Sequence, residues 1–269
     1  IVGGGPTGVE MAGALREIAA NSIPRDFRRV DTTEARVVLI EGQDRLLPTM
    51  SEASGRRALR DLEEMGVEVR VDTFVTDVRE EAVFAGDELI PASNVIWAAG
   101  VRGESIAETL GVELDRVGRV KVEGDCSVPG HPEAFVIGDL AYLEDPETGK
   151  PVPGVAQGAL QQGDFVAKLI RKSMQTLGKP AGLQVFRYHD KGDMATIGRA
   201  RAVADVGGWT VTGFLAWVLW SVVHILFLIG FRNKLLVMIN WLWQWIVHGR
   251  GPRLITGSPE VKFRKQVDL

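Results

Sequence analysis

The sequence predicts an α/β fold: doubly wound Rossmann-type dinucleotide-binding domains followed by a C-terminal helical segment. Three observations predict it. Short β-branched runs alternate with helically spaced stretches over the first hundred residues. A glycine-rich turn, Gly3-x-Gly5-x-x-Gly8, stands between the first strand-like run and the first helical one. Long apolar runs almost free of charge fill the last part of the chain.

Ile1-Val2 reads as the end of a strand, and the helix after the turn has apolar residues at Val9, Ala12, Leu15 and Ile18. ARVVLIEG (35–42) suits a strand buried on both faces. SEASGRRALRDLEEMG (51–66) reads as a helix with Ser51 as N-cap and Gly66 as its stop. Several short strands follow and finish at Gly100. From residue 103 the pattern changes: GRVKVEGDCSV and EAFVIGDLA read as strands, and GVAQGALQQGDFVAKLIRKSM as a helix. FRYHDKGDMATIGRARAVADV reads as paired strands turning at Asp190-Lys191-Gly192. A flexible link is expected at 176–182. The division predicted is 1–102, 103–205 and 206–269.

Residues 211–231 carry no Asp, Glu, Lys or Arg. As a helix they would measure about 30 Å, enough to cross a bilayer core. Arg232-Asn233-Lys234 interrupts them. The next apolar run, 235–247, holds Trp241, Trp243 and Trp245 and falls short of the ~20 residues a span needs. With Arg232, Lys234, Arg250 and Arg253 flanking it, that run suits a helix at headgroup level. Two core helices would show a polar face, and the first has almost none. Membrane contact is therefore expected, by embedding rather than spanning.

The 269 residues carry a net charge of −4 with no basic block, which argues against a nucleic-acid partner. Cys126 is the single cysteine, so an intrachain disulfide, a CxxC pair and a cysteine metal cluster are all excluded. His131, His189, His224 and His248 are too scattered to form a local ligand pair, and no metal site is expected.

In the glycine turn, Gly3 permits the tight bend, Gly5 lets backbone approach a pyrophosphate, and Gly8 lets helix and strand pack closely. The N–H groups at the helix start then face phosphate charge. Glu41 ends the next strand, where a carboxylate can accept from a ribose diol and repel a 2′-phosphate, favouring NADH over NADPH. The Gly8–Glu41 gap exceeds the usual ~20 residues, so an insertion at 21–35 is expected. Glu10, on the first helical turn, suits the helix dipole. Beside a pyrophosphate its charge would be unfavourable, so it is read as facing the reacting end of a cofactor. Asp139, after the strand FVI, could accept from a ribityl hydroxyl, with a following helix start for a phosphate. Gln157 and Gln161 stand at i and i+4 on one helical face; an exposed polar stripe is the plainer reading.

Together GGGPTGVEMAG, VLIEG, AAGV, FVIGDLA, AQGALQQG, FRYHDKGDMATIGRA and GFRNKLLV, in this order, resemble the type II (non-proton-pumping) NADH:quinone oxidoreductases. The resemblance implies an NADH domain (1–102) inserted in an FAD domain whose returning part is 103–205. It implies NADH held by Gly3, Gly5, Gly8 and Glu41 with Ala99-Gly100 near the nicotinamide, and FAD bound by Asp139. It places Gln157, Gln161 and Glu10 near flavin and quinone, with Glu10 a candidate for proton delivery. Lys234 would line a quinone entrance or reach lipid headgroups. The implied partners are a quinone and membrane lipid, with a homodimer possible, at the cytoplasmic face of a bacterial inner membrane. The opening at Ile1 is read as that of a fragment whose FAD pyrophosphate motif lies upstream. Sulfide:quinone oxidoreductases and soluble disulfide reductases need paired cysteines, which Cys126 alone cannot supply. A catalytically silent NADH-sensing or membrane-docking module stays as the alternative.

Overall fold

The computed structural model describes residues 1–27, 29–175 and 184–247. Two compact units emerge: Ile1–Glu17 with Arg36–Trp220, and Ile18–Ala35 with Ser221–Leu269. The expected link at 176–182, together with His248, Arg250 and Arg253, lies outside the described residues.

Helix α1 (Pro6–Glu17) opens on a proline, whose missing N–H is no loss at a helix start. The insertion after it is a π-turn, Ile18–Ser22, and two 3-10 turns, Pro24–Asp26 and Thr32–Glu34. The Thr32 hydroxyl donates to Ala19 O at 2.9 Å and closes that loop on itself. Strand β1 (Val37–Ile40) follows, then helix α2 (Glu52–Glu64) and strand β2 (Val67–Arg70), which pairs in parallel with β1. Val2 bridges in parallel to Ile40 on one side and Trp97 on the other, giving the parallel order Trp97, Val2, β1, β2. Ser51 caps α2 by accepting from Ser54 N, and Gly66, at φ +87°, ends it. An antiparallel meander follows: β3 (Asp77–Arg79), β4 (Ala82–Ala85) and β5 (Glu88–Pro91).

Short strands β6 (Val120–Lys121), β7 (Ser127–Val128), β8 (His131–Phe135) and β9 (Ala141–Tyr142) lead to the 20-residue helix α3 (Ala156–Gln175). Cys126 is buried, and burial together with the Asp125 charge pushes its thiol up to about 12, so it is inert at neutral pH. Then come β10 (Asp193–Gly198), β11 (Arg201–Val206) and β12 (Trp209–Thr212), one antiparallel sheet. The hairpin turns at Arg199-Ala200, with Ala200 at φ +61°, not at Asp190-Lys191-Gly192 as the composition suggested. Gly192 instead passes so close to Asp205 O that a side chain there would overlap it.

This sheet completes the first unit's core. Ala195, Ile197 and Val203 pack with Val9, Leu39 and Leu62 beneath α1 and α2. Gly13 of α1 lies directly on Ile197 O. Asp205 ties the sheet to the start of α2: it accepts from Ser51 N at 2.7 Å and from the Ser51, Ser54 and Thr210 hydroxyls. Burial raises its pKa, but these hydrogen bonds outweigh burial and hold it below the ordinary value. A depressed carboxylate stabilises the fold above its unfolded pKa and loses that contribution as pH falls through the folded one. The melting-temperature gap between wild type and Asp205→Asn is therefore expected to be full at neutral pH and to shrink below about pH 4. A gap independent of pH would disprove this role for the carboxylate.

The C-terminal expectations need two corrections. Residues 211–231 do not form one helix: Val211 and Thr212 belong to β12, and helix α4 (Phe214–Phe227) begins after Gly213. Its 14 residues measure about 21 Å. Arg232-Asn233-Lys234 does not interrupt the apolar run either. The break falls at 228–230, with Gly230 at φ +81°, and the three polar residues sit in the first turn of helix α5 (Phe231–Val247). Asn233 Nδ2 donates to Ile229 O within that break, and Lys234 Nζ donates to Leu226 O at 2.7 Å, satisfying a carbonyl of the last turn of α4. Among the described residues no helix is long and apolar enough to cross a membrane. Both helices expose large apolar side chains, most of all at the corner, where Ile229 is 89% and Phe231 81% exposed.

Candidate functional site

The glycine turn is built by pairing on both sides. Gly3 N donates to Ile40 O, Val2 N to Ile96 O and Ala98 N to Val2 O, which brings the ends of three parallel segments together. Gly3 stands at φ +107°, and a Cβ there would come within 2.5 Å of Ala98 O. A Cβ on Gly8 would overlap Gly3 O, so the helix can start only if this residue is bare. Gly5 is different: a Cβ there meets nothing within 4 Å. Gly3 and Gly8 are thus demanded by the fold, while Gly5 leaves open space beside the helix start. Val9 N donates to Gly5 O, and the N–H groups of Thr7 and Gly8 precede any intrahelical carbonyl. Open space in front of donors at a helix N-terminus is what a phosphate requires.

Glu41 is nearly buried at the end of β1. Its two carboxylate oxygens accept from Gly4 N and, at 2.8 Å, from Gln43 N. It clamps the glycine turn to its own strand, and each oxygen keeps a lone pair for a further donor. A cleft of about 520 Å³ runs along this edge, lined by Gly3, Gly5, Glu41, Gln43, Ala99 and Gly100. Phe74 and Trp97 line it too, at 72% and 61% exposure. The sequence reading missed Gly4, Gln43, Phe74 and Trp97. Two aromatics in strand-like runs look like core, and nothing local marks them as exposed.

The other predicted residues lie apart from this cleft. Glu10 Oε1 accepts from Thr196 N at 3.1 Å and from the Thr196 hydroxyl, where the pairing of β10 with β11 shifts register. Gln157 and Gln161 both lie on α3, but only Gln161 is committed. Its Oε1 accepts from His189 N at 2.9 Å and its Nε2 donates to His189 O at 3.0 Å, an amide pairing that holds the segment before β10. The Gln157 side chain is half-buried and makes no hydrogen bond among the described residues. Gln162, two per cent exposed, accepts from Gly138 N. Asp139 is exposed in the 3-10 turn Gly138–Leu140, beside Gly154. The helix start expected after Asp139 is absent, because the chain enters β9 after one turn. Lys234 is spent on the end of α4. No group of three His, Cys, Asp or Glu able to hold a metal occurs among the described residues.

A parallel βαβ edge with a glycine turn on a helix start and an acid on the next strand defines a dinucleotide-binding protein. Residues 1–163 match the family model for pyridine nucleotide-disulphide oxidoreductases, and the chain belongs to that family. Residues 190–250 match the model of the NDH2 C-terminal domain. More particularly, the chain is similar to type II NADH:quinone oxidoreductase Ndh of Mycobacterium tuberculosis, at 41% identity over 95% of this chain and 56% of that protein. It is 32% identical to the mitochondrial internal alternative NAD(P)H-ubiquinone oxidoreductase A1 of Arabidopsis thaliana, over 90% of this chain and 50% of that one. The chain thus spans about half the length of these relatives. The structure of NDH2 from Plasmodium falciparum in complex with NADH shares the fold: TM-score 0.80 at 17% identity, over 91% of this chain and 65% of that one.

Proposed function

We propose that this chain is the NADH-binding and membrane-docking part of a type II NADH:quinone oxidoreductase. The observation that carries the reading is the cleft at the glycine turn, where Gly5 is bare, the helix start offers free donors, and Glu41 is held beside the turn by Gly4 N and Gln43 N. On this reading residues 1–102 form the NADH-binding domain, 103–205 the returning part of an FAD-binding domain, and 206–269 the membrane-anchoring helices and tail.

Thr7 and Gly8 N–H would hold the pyrophosphate, Glu41 the ribose diol, and Ala99-Gly100 the nicotinamide end. The head of α3 fits a flavin. Gly154, just before it, leaves open space: a Cβ there would meet only Asp139 Oδ1 within 4 Å, at 3.5 Å. There Asp139 would take a ribityl hydroxyl and Gln157 a ring carbonyl. Bound FAD would accept a hydride from NADH and pass two electrons to a quinone, without proton pumping. Gln161 and Glu10 act on this reading as positioning residues, holding His189 and Thr196. Lys234 keeps the α4–α5 corner, whose apolar side chains would enter the lipid of a bacterial inner membrane from its cytoplasmic face.

The protein loaded with FAD and bound to phospholipid vesicles is expected to lose its visible flavin absorbance with NADH and regain it when a quinone is added. Flavin that stays oxidised under NADH would sink the enzyme reading and leave a silent NADH-sensing or membrane-docking module. Protein that fails to sediment with vesicles would remove the membrane part.

A further inference from the structure

Phe74 belongs to none of the hydrophobic clusters formed by the described residues. It follows β2 in the loop that carries the chain past Glu41, and Thr73 N donates to Glu41 O at 2.9 Å. Its ring lies on the backbone of Gly42, so close that a Cβ there would come within 2.5 Å of Cε1 and 2.8 Å of Cδ1. Yet 72% of the residue is exposed, and what is exposed lines the cleft rather than the core. Gly42 does not have a positive φ, so its bareness serves the ring rather than a turn.

The order of groups along a dinucleotide decides what this ring can meet. With the pyrophosphate at the start of α1 and the first ribose at Glu41, the next group outward is the base. On that wall Thr73 meets the Glu41 carbonyl, and the aromatic side chain next to it is Phe74. A flat apolar face left open to water beside a ribose site is suited to stack a purine. We propose that Phe74, seated on Gly42, is the purine platform of the dinucleotide site and sets its preference for adenine. This rests on the NADH reading above and deepens it.

The test uses the whole chain and two probes, NADH and reduced nicotinamide cytosine dinucleotide, which differ only in the base. Phe74→Ala is expected to weaken NADH binding about 10-fold, as loss of a base–aromatic stack does. The smaller pyrimidine should lose less, so the ratio of the two affinities collapses. Phe74→Trp should keep or raise the ratio. Gly42→Ala, which displaces the ring, should weaken NADH like Phe74→Ala, and the double variant should be no worse than either single one. An unchanged ratio in Phe74→Ala, or additive losses in the double variant, would overturn the proposal. If the wild-type chain binds neither probe, the NADH reading falls as well. That outcome differs from wild-type binding that is indifferent to residue 74.

Discussion

Gly8→Ala is expected to lower the stability of the first unit by about 3 kcal/mol, the upper range for forcing an extra carbon into packed structure. For a chain of this size that is roughly a 6–12 °C drop in melting temperature. The helix propensity gained from alanine, about 1 kcal/mol, works against this but is smaller. The clash wins because the new Cβ meets Gly3 O, a backbone atom held by Gly3 N to Ile40 O, which cannot swing aside. Gly5→Ala, three residues earlier, should leave the melting temperature within about 1 °C, since its Cβ meets nothing. It should still weaken NADH roughly 30-fold, the ~2 kcal/mol of a displaced hydrogen bond to charge. Thermal melts and NADH titrations on the pair check both halves. If Gly5→Ala binds NADH like wild type, the glycine turn is a packing device and not a phosphate site.

Glu41→Gln is expected to weaken NADH about 10-fold and to narrow discrimination against NADPH. The carboxylate now satisfies two backbone donors, Gly4 N and Gln43 N, from opposite oxygens. An amide has one acceptor oxygen, so one of these donors would face an NH₂ group, at a cost of about 1–3 kcal/mol for an unmet buried donor. The glycine turn would loosen, and with Glu41 at the ribose as proposed, the charge that would repel a 2′-phosphate would be gone. Parallel titrations with NADH and NADPH separate the two effects. A selectivity ratio equal to wild type's would show that Glu41 only braces the turn.

The features legible in the sequence were those set by local rules. The glycine turn, the Ser51 cap, the Gly66 stop and the acid closing β1 all depend on neighbours a few residues away. Asp190-Lys191-Gly192 looked like a hairpin turn because its composition is that of one. Hairpin position is set by pairing, however, and Ala195 opposite Val203 in the core moves the turn to Ala200. The apolar tail showed its chemistry in its composition but not its division, since Gly230 and the Lys234 cap place the break.

By itself the sequence determined the fold class, the dinucleotide turn with Glu41 near it, and the apolar character of the last part of the chain. Tertiary structure alone decided what those side chains do. It turned Glu41 into a clamp, assigned Glu10 to Thr196 and Gln161 to His189, and joined Asp205 to Ser51 across 154 residues. It left Phe74 open on the cleft wall. Hydrogen-bond partners far apart in the chain, and the exposure of a ring, are properties of the packed whole, which no local spacing encodes.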